Sequence, residues 1–407
     1  MPQTPFADQV DSLPESPVRP HQARDIAVWV SLLVATLTLA SVAASTSEVV
    51  GPSTLPWWPA QNLSLHVTAG MIAAPTTAAA VLIAASRPAA ARMSWNTLLV
   101  LSYLAALAWS GALHTNVDTS IAPDDTLGSV RALEQMIALS GSQAGLAIAV
   151  TAVSSLAVPF SLIAVRSVCG PAAARAIAPV MILGPWAAWT SLGMDGVASA
   201  ACAAALAAGA VTSERRVRGL DAFWGAAGTG GLLGIVALLS YSAAWFAVSL
   251  LCLYFVRRRP FHILGTAAAA LAVLAIAAAS GNSWPNGLID TYNASIGEVT
   301  AHPGQLWWVL LMPSLVVVAC GPAVVESLRR FGSTSAWPLM AGPLLALVLG
   351  PLSGSSPDRP EYGWVALCPW LVVAATAPSR RRGRSVRAPL ATAAAGACAA
   401  VLLMYSG

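Results

Sequence analysis

Long apolar segments are the feature that most limits the folds open to this chain. Runs of roughly 17 to 22 apolar residues recur along nearly its whole length, matching the ~20 residues that a helix needs to cross a ~30 Å hydrocarbon layer. Only 9% of the residues are charged, whereas a soluble domain carries about 25%. Lipid leaves unpaired backbone groups unsatisfied, and the ten-residue alternation of a membrane barrel is absent, so the segments are predicted to be helices.

The expected fold is therefore all-α, a polytopic membrane helix bundle of about 13 transmembrane helices, within a range of roughly 11 to 14. The predicted spans are 25–44, 63–85, 95–113, 141–165, 176–193, 196–212, 223–239, 243–256, 261–280, 306–325, 336–352, 362–377 and 388–405. The apolar run 223–256 is too long for one span, so it is predicted to form two helices that turn at residues 240–242.

Arginine placement predicts the orientation of the bundle. The 21 basic residues are all arginine, and all but Arg131 and Arg359 lie in the tail or on alternate connections between spans. The positive-inside rule then places those connections and the N-terminus in the cytoplasm of a multi-pass plasma-membrane protein. Topology accounts for the arginine clusters, so no nucleic-acid partner is expected.

We expect four parts along the chain. They are a disordered cytoplasmic tail at 1–24, an N-terminal helix pair at 25–94, a transmembrane core at 95–377, and a basic cytoplasmic loop with a C-terminal helix at 378–407. Within the core, the glycines of 225–231 are interpreted as sites of close helix packing rather than a nucleotide-binding loop. Residues 281–305 are expected to form an exoplasmic loop.

The polar stretch PDDTLGSVRALEQM, residues 123–136, is predicted to begin a short helix on the exoplasmic surface. Pro123 followed by Asp124 and Asp125 is typical of a helix start, and apolar residues follow at helical spacing. Two interpretations stay open: the two acids only cap the helix, or they carry chemistry at the mouth of the bundle.

Two further residues stand out within the apolar core. Asp195 lies between two short apolar segments, where a carboxylate is a functional-site candidate by default and a helix cap is the alternative. Tyr241, in the turn at residues 240–242, would hydrogen-bond either a lipid phosphate or a neighbouring carbonyl. The six cysteines have no spacing typical of a zinc site or of a disulfide framework.

The stretch 123–136, directly after a span, resembles the segment that opens the first large exoplasmic loop in polyprenyl-phosphate-sugar-dependent glycosyltransferases of the GT-C fold, of the protein-mannosyltransferase and aminoarabinose-transferase type. Segments similar to a group of actinobacterial integral membrane proteins of that class are 178–204, 231–251, 282–297 and 344–371. The resemblance covers roughly residues 95–377. Two elements depart from it: SGSQAGL replaces the family's Pro-Pro stretch, and SSPDRPEYGW replaces its Lys-Gly-Glu-X-Glu-Arg run.

The resemblance implies a GT-C-like core with a short exoplasmic surface helix, and an enzyme that moves a sugar from a polyprenyl-phosphate donor to a cell-wall glycan or lipid acceptor among the membrane lipids. An inverting mechanism needs a base, for which Asp124 or Asp125 is the candidate, and a cation that stabilises the departing phosphate. The sequence identifies no cofactor for certain and leaves a divalent metal ion open. The residues expected at the donor phosphate are Arg131, Arg359 and Tyr241, and further site candidates are Asp195, Glu134 and His302.

Two alternatives stay open. The first is a degenerate, non-catalytic relative of the GT-C enzymes, which the two departures favour. The second is a transporter or flippase for lipids or small molecules, for which broken helices near the bilayer midplane would be expected.

Overall fold

The computed structural model describes residues 21–46, 69–113, 143–190, 194–281, 283–301, 306–349, 364–377 and 388–405. The elements in these ranges are α-helices joined by turns and short 3-10 segments. An all-helical membrane bundle, the fold class expected from the sequence, is therefore confirmed at that level.

The helices follow one another along the chain with short connections. The first half holds α1 (His21–Thr46), α2 (Ala69–Ser86), α3 (Pro88–Arg92), α4 (Trp95–Leu113), α5 (Gln143–Ser155), α6 (Ala157–Cys169), α7 (Pro171–Ile182), α8 (Ala187–Thr190) and α9 (Met194–Thr212). The second half holds α10 (Leu220–Leu239), α11 (Ala243–Val256), α12 (Pro260–Ala279), α13 (Trp284–Ala301), α14 (Leu306–Ala319), α15 (Ala323–Arg330), α16 (Trp337–Leu349), α17 (Cys368–Leu371) and α18 (Ala388–Tyr405).

Five helical segments of the described ranges are long and apolar enough to cross a membrane. They are Trp95–Leu113, Gly145–Cys169, Asp195–Thr212, Leu220–Leu239 and Pro260–Ala279. The shorter apolar helices are Gly70–Ser86, Pro171–Ile182, Ala243–Val256, Trp337–Leu349, Val365–Ala375 and Leu390–Leu402. The run 223–256 forms two helices, α10 and α11, which turn at residues 240–242 as the sequence predicts.

Small residues bring neighbouring helices into close contact. A Cβ on Gly230 of α10 would lie 2.8 Å from the Cβ of Ala269 and closer still to the carbonyl of Thr266, both on α12. On Gly225 it would lie 2.5 Å from Thr212 Cγ2 at the end of α9. The interpretation of the glycines of 225–231 as packing sites is confirmed at these two positions, because only hydrogen fits there. It does not hold for Gly228 and Gly231, where an added Cβ would meet nothing within 4 Å among the described residues.

Several helices predicted to be continuous are broken inside the bundle. The predicted span 176–193 is interrupted after α7, where Gly184 and Pro185 precede the single turn of α8. The predicted span 306–325 is interrupted between α14 and α15, where Gly321 adopts a φ of 73° before Pro322. Proline lacks the N–H that would continue a helix and clashes with the preceding turn, which explains both interruptions.

These interruptions meet at one place. A Cβ on Gly321 would lie 3.2 Å from Pro185 Cδ, and one on Gly396 of α18 would lie 3.6 Å from both Pro185 and Pro322. The chain from residue 364 to 377 crosses the same core as short 3-10 and α-helical turns, and nearly all of its residues are buried. The centre of the bundle is therefore built from interrupted helices.

Arginine-bearing turns contact one another at one end of the bundle, called the arginine end below. Arg175 Nη2 donates a hydrogen bond to the Met93 carbonyl at 3.0 Å, which joins the start of α7 to the start of α4. Arg257, at the end of α11, donates to the Ser167 carbonyl at 2.9 Å and to Ser213 Oγ at 2.8 Å. These bonds connect turns that are far apart in sequence.

The start of α1 reaches the same end. Arg329 Nη2 lies 2.7 Å from Asp25 Oδ2, and the Asp25 side chain is buried. Arg330 Nη2 donates a hydrogen bond to the Ala377 carbonyl at 2.6 Å. The arginines that lie on alternate connections along the sequence therefore come together at one end of the described bundle, as the sequence predicts.

One predicted loop is helical instead. Within 281–305, expected to be an exoplasmic loop, residues Trp284–Ala301 form α13. Pro285 occupies the first turn, and the Gly287 amide donates to the Ser283 carbonyl at 3.1 Å. A serine followed by proline in the first turn is a helix-start signal, which the low hydropathy of this segment hides from a search for membrane spans.

Candidate functional site

Asp195 is the candidate site residue that the described structure places most clearly. It lies in the first turn of α9 and is only 2% exposed. Since α9 ends at Thr212, beside the arginine end, a rise of 1.5 Å per residue puts Asp195 roughly 26 Å away, at the opposite end, called the far end below. A carboxylate in the first turn is stabilised by the partial positive charge of the helix N-terminus.

A small cavity adjoins the first turn of α9. Its volume is about 20 Å³. The hydroxyl-bearing residues that line it come from four helices and are Ser110, Ser154, Ser155, Thr190 and Ser199. Such a space accommodates about one water molecule and excludes a sugar ring. The cavity is therefore too small to be a substrate pocket, and Asp195 is not among the residues that line it.

The hydroxyls of the cavity differ in how they are satisfied. Ser155 Oγ donates to the Thr151 carbonyl at 2.7 Å, and Thr190 Oγ1 donates to the Ala187 carbonyl at 3.0 Å. Ser154 Oγ is buried and has no hydrogen-bond partner within the described ranges.

Gly196 brings α9 against the cavity wall. A Cβ at this position would overlap the Thr190 carbonyl oxygen and Ser154 Oγ, and would lie 2.7 Å from the Thr190 carbonyl carbon. The close approach holds the first turn of α9 against α5 and α8. Packing of the backbone at Gly196 therefore holds the backbone of the neighbouring Asp195 in place.

Tyr241 lies in the turn at residues 240–242, also at the far end. Its ring packs edge-on against Trp284 of α13 at a centroid distance of 5.7 Å. Its hydroxyl faces Gly287, where an added Cβ would lie 2.5 Å from the oxygen. Trp284 Nε1 in turn donates to the Ala237 carbonyl at 2.8 Å. This packing brings the turn at residues 240–242 against α13, and the hydrogen-bond partner of Tyr241, a lipid phosphate or a neighbouring carbonyl, stays a prediction.

The other predicted site residues lie outside the described residues. They are Asp124, Asp125, Arg131, Glu134, His302 and Arg359. Their proximity to Asp195 and Tyr241 therefore stays a prediction. Neither Asp195 nor Tyr241 lines the 20 Å³ cavity.

Sequence reasoning missed the hydroxyl cavity and the role of Gly196. Serine and threonine are common in apolar helices, so no single one of them signals a site. The Asp195-Gly196 pair does carry a usable signal, since a glycine beside a lone carboxylate at a helix start marks a place of close backbone approach.

Comparison with known proteins gives no further identification. No protein-family model, no curated protein and no solved structure matches the chain. Among the described residues there is also no group of three or more His, Cys, Asp or Glu side chains placed to share a metal ion.

Proposed function

We propose that the chain is a membrane glycosyltransferase that moves a sugar from a polyprenyl-phosphate donor to a lipid or cell-envelope acceptor. The observation that carries the proposal is the buried carboxylate of Asp195 at the far end, within a segment that resembles GT-C enzymes. A carboxylate this deeply buried in an apolar bundle is retained at a functional site more often than elsewhere. By the positive-inside rule the far end is exoplasmic.

The reaction needs a base, a stabilised leaving group and a fixed acceptor. The acceptor oxygen forms a bond to C1 of the sugar while the bond from C1 to the phosphate oxygen breaks. Asp124 or Asp125 takes the acceptor proton, and the polyprenyl phosphate leaves as an anion next to Arg131 or Arg359. If residues 123–136 form the surface helix expected from the sequence, Asp124 and Arg131 are about two turns apart, which would bring base and cation to one side.

Asp195 acts as a positioning residue in this scheme. Its carboxylate lies in the first turn of α9, and it is too deeply buried to meet bulk solvent. A hydrogen-bonding carboxyl group fixed at this depth orients nearby hydroxyl groups, a form of electrostatic preorganisation. Loss of the carboxyl group in Asp195→Ala should therefore lower kcat more than it raises KM.

Sugar transfer from a radiolabelled polyprenyl-phosphate sugar, measured in membranes that contain the full chain, tests the base. The Asp124→Asn and Asp125→Asn variants are compared with Asp290→Asn, which changes an exposed carboxylate on α13. We expect a loss of about 100-fold or more in one of the first two variants and wild-type activity in the third, because general base catalysis contributes roughly 10²- to 10⁴-fold. Undiminished transfer in both Asp124→Asn and Asp125→Asn would refute the assignment.

A second candidate function is a lipid transporter or flippase. It is favoured by the interrupted helices that meet around Pro185, because discontinuous helices in the bundle core are typical of transporters. Vesicles that contain the purified chain and a labelled lipid-linked sugar on one leaflet separate the two functions. A transporter moves the intact lipid to the other leaflet without an acceptor, whereas a transferase cleaves it only when an acceptor is present.

A further inference from the structure

Four arginines surround the short helix α3 at the arginine end. Arg87 directly precedes α3, Arg92 is the last residue of α3, and both are exposed. Arg166 and Arg175 come from α6 and α7 and reach the turn at residues 93–95, directly after α3. This group is called the arginine elbow below.

Two contacts fix the geometry of the elbow. Arg175 Nη2 donates to the Met93 carbonyl at 3.0 Å and so holds the turn against α7. The guanidinium carbon of Arg166 lies 4.4 Å from the centroid of the Trp95 ring. Stacking of this kind uses the face of the guanidinium and leaves its in-plane N–H groups available for a bidentate phosphate or carboxylate.

The positive charge of the elbow is not neutralised by the described part of the chain. The acids that form ion pairs there are Glu214 with Arg216, Asp25 with Arg329, and Glu326 with Arg330. None of the four elbow arginines has a carboxylate of a described residue within ion-pair distance. Four guanidinium groups next to apolar helices therefore form an unpaired basic patch.

Exposed apolar side chains continue from the elbow along the outer surface of the bundle. Ile83 of α2 lies one turn before Arg87, and Val100 and Leu104 lie on α4 beyond Trp95. Helices α2 and α4 pack against each other, so both present exposed apolar side chains on the surface next to the elbow. A ligand that matches both features carries a phosphate at one end and hydrocarbon chains at the other.

We propose that the arginine elbow binds the headgroup phosphate of an anionic phospholipid, whose acyl chains lie along α2 and α4. Arg92 and Arg166 contact the phosphate, and Arg175 positions the turn. Basic clusters of this kind beside membrane helices attract anionic lipids of the cytoplasmic leaflet. The site lies at the opposite end of the bundle from Asp195, so it does not depend on the proposed transferase activity.

Lipid binding to the purified full chain in detergent tests the proposal, with native mass spectrometry and thermal unfolding as readouts. The probes are phosphatidylglycerol, phosphatidylcholine and inorganic phosphate. We expect phosphatidylglycerol alone to bind and to raise the unfolding temperature. The double variant Arg92→Gln/Arg166→Gln should bind it about 20- to 30-fold more weakly, because each arginine beside anionic lipid contributes about a factor of five.

A matched control is the double variant Arg215→Gln/Arg218→Gln. It removes two exposed charges from another turn at the same end, and we expect it to bind phosphatidylglycerol as the wild type does. An equal loss in both double variants would indicate general surface charge and overturn the proposal. Stabilisation by inorganic phosphate or by phosphatidylcholine to the same extent would overturn it as well.

Discussion

Replacing Gly196 with alanine should be among the most damaging single-methyl changes in the described bundle. The added Cβ would overlap the Thr190 carbonyl oxygen and lie 2.7 Å from the carbonyl carbon. Because this obstacle is a backbone carbonyl, it cannot rotate away as the end of a flexible side chain would. Helices α8 and α9 must then separate, which we expect to cost about 3 kcal/mol, at the upper end of the usual range for overpacking.

Gly228 of α10 offers a matched control for this substitution. It also lies within an apolar helix, but a Cβ there meets nothing within 4 Å among the described residues. Alanine is favoured over glycine inside a helix by up to about 1 kcal/mol, so Gly228→Ala should be neutral or slightly stabilising. The two variants therefore separate the steric effect from the change in helix propensity.

Equilibrium unfolding of the purified full chain in mixed micelles measures both variants. Hydrogen exchange adds a local readout, because separation of α8 from α9 should raise exchange first at the start of α9. Equal free energies of unfolding for Gly196→Ala and Gly228→Ala would refute the close approach of α9 to Thr190. The reasoning about how Asp195 is held would then be wrong.

Three further predictions concern the arginine end and the core, each measured by equilibrium unfolding. Ser249→Ala removes two hydrogen bonds to α16, one donated at 3.2 Å and one accepted at 3.0 Å, and should destabilise the fold by about 2 kcal/mol. Arg329→Met leaves buried Asp25 without its ion-pair partner and should cost about 3 kcal/mol, much of which Asp25→Asn should restore in the double variant. Burial raises the pKa of Glu326 above its usual value, although Arg330 opposes the shift. The folded state therefore disfavours the charged carboxylate, and wild type should lose stability relative to Glu326→Gln as pH rises through the raised pKa. A difference between them that does not vary with pH would contradict this.

The sequence predicted those parts of the fold that depend on local pattern. The spans 95–113, 243–256 and 388–405 match α4, α11 and α18 in their bounds, because each is an apolar run ended by polar or turn residues. The packing role of Gly230 followed from a glycine-rich stretch inside an apolar run. The placement of the arginines predicted that the turns bearing them lie at one end of the bundle. This succeeded because the positive-inside rule needs only the order of spans and connections along the chain.

What the sequence did not predict depends on contacts between distant segments. The meeting of Pro185 with Gly321 and Gly396 joins residues more than a hundred positions apart, and no local pattern indicates it. The hydroxyl cavity likewise draws its five hydroxyl-bearing residues from four helices. Asp195 was selected from sequence because a lone acid in an apolar chain is rare, but its burial and the close approach of Gly196 required the structure.

The central proposal, sugar transfer from a lipid-linked donor, is tested most directly by the fate of a labelled donor. Purified full chain is placed in vesicles with a polyprenyl-phosphate sugar labelled in the sugar and with an extract of cell-envelope lipids as acceptor. We predict that label leaves the donor and appears in a glycosidic product with inverted configuration at C1. A donor pool that stays intact in the presence of folded protein, or that crosses the bilayer without cleavage, would contradict the proposal.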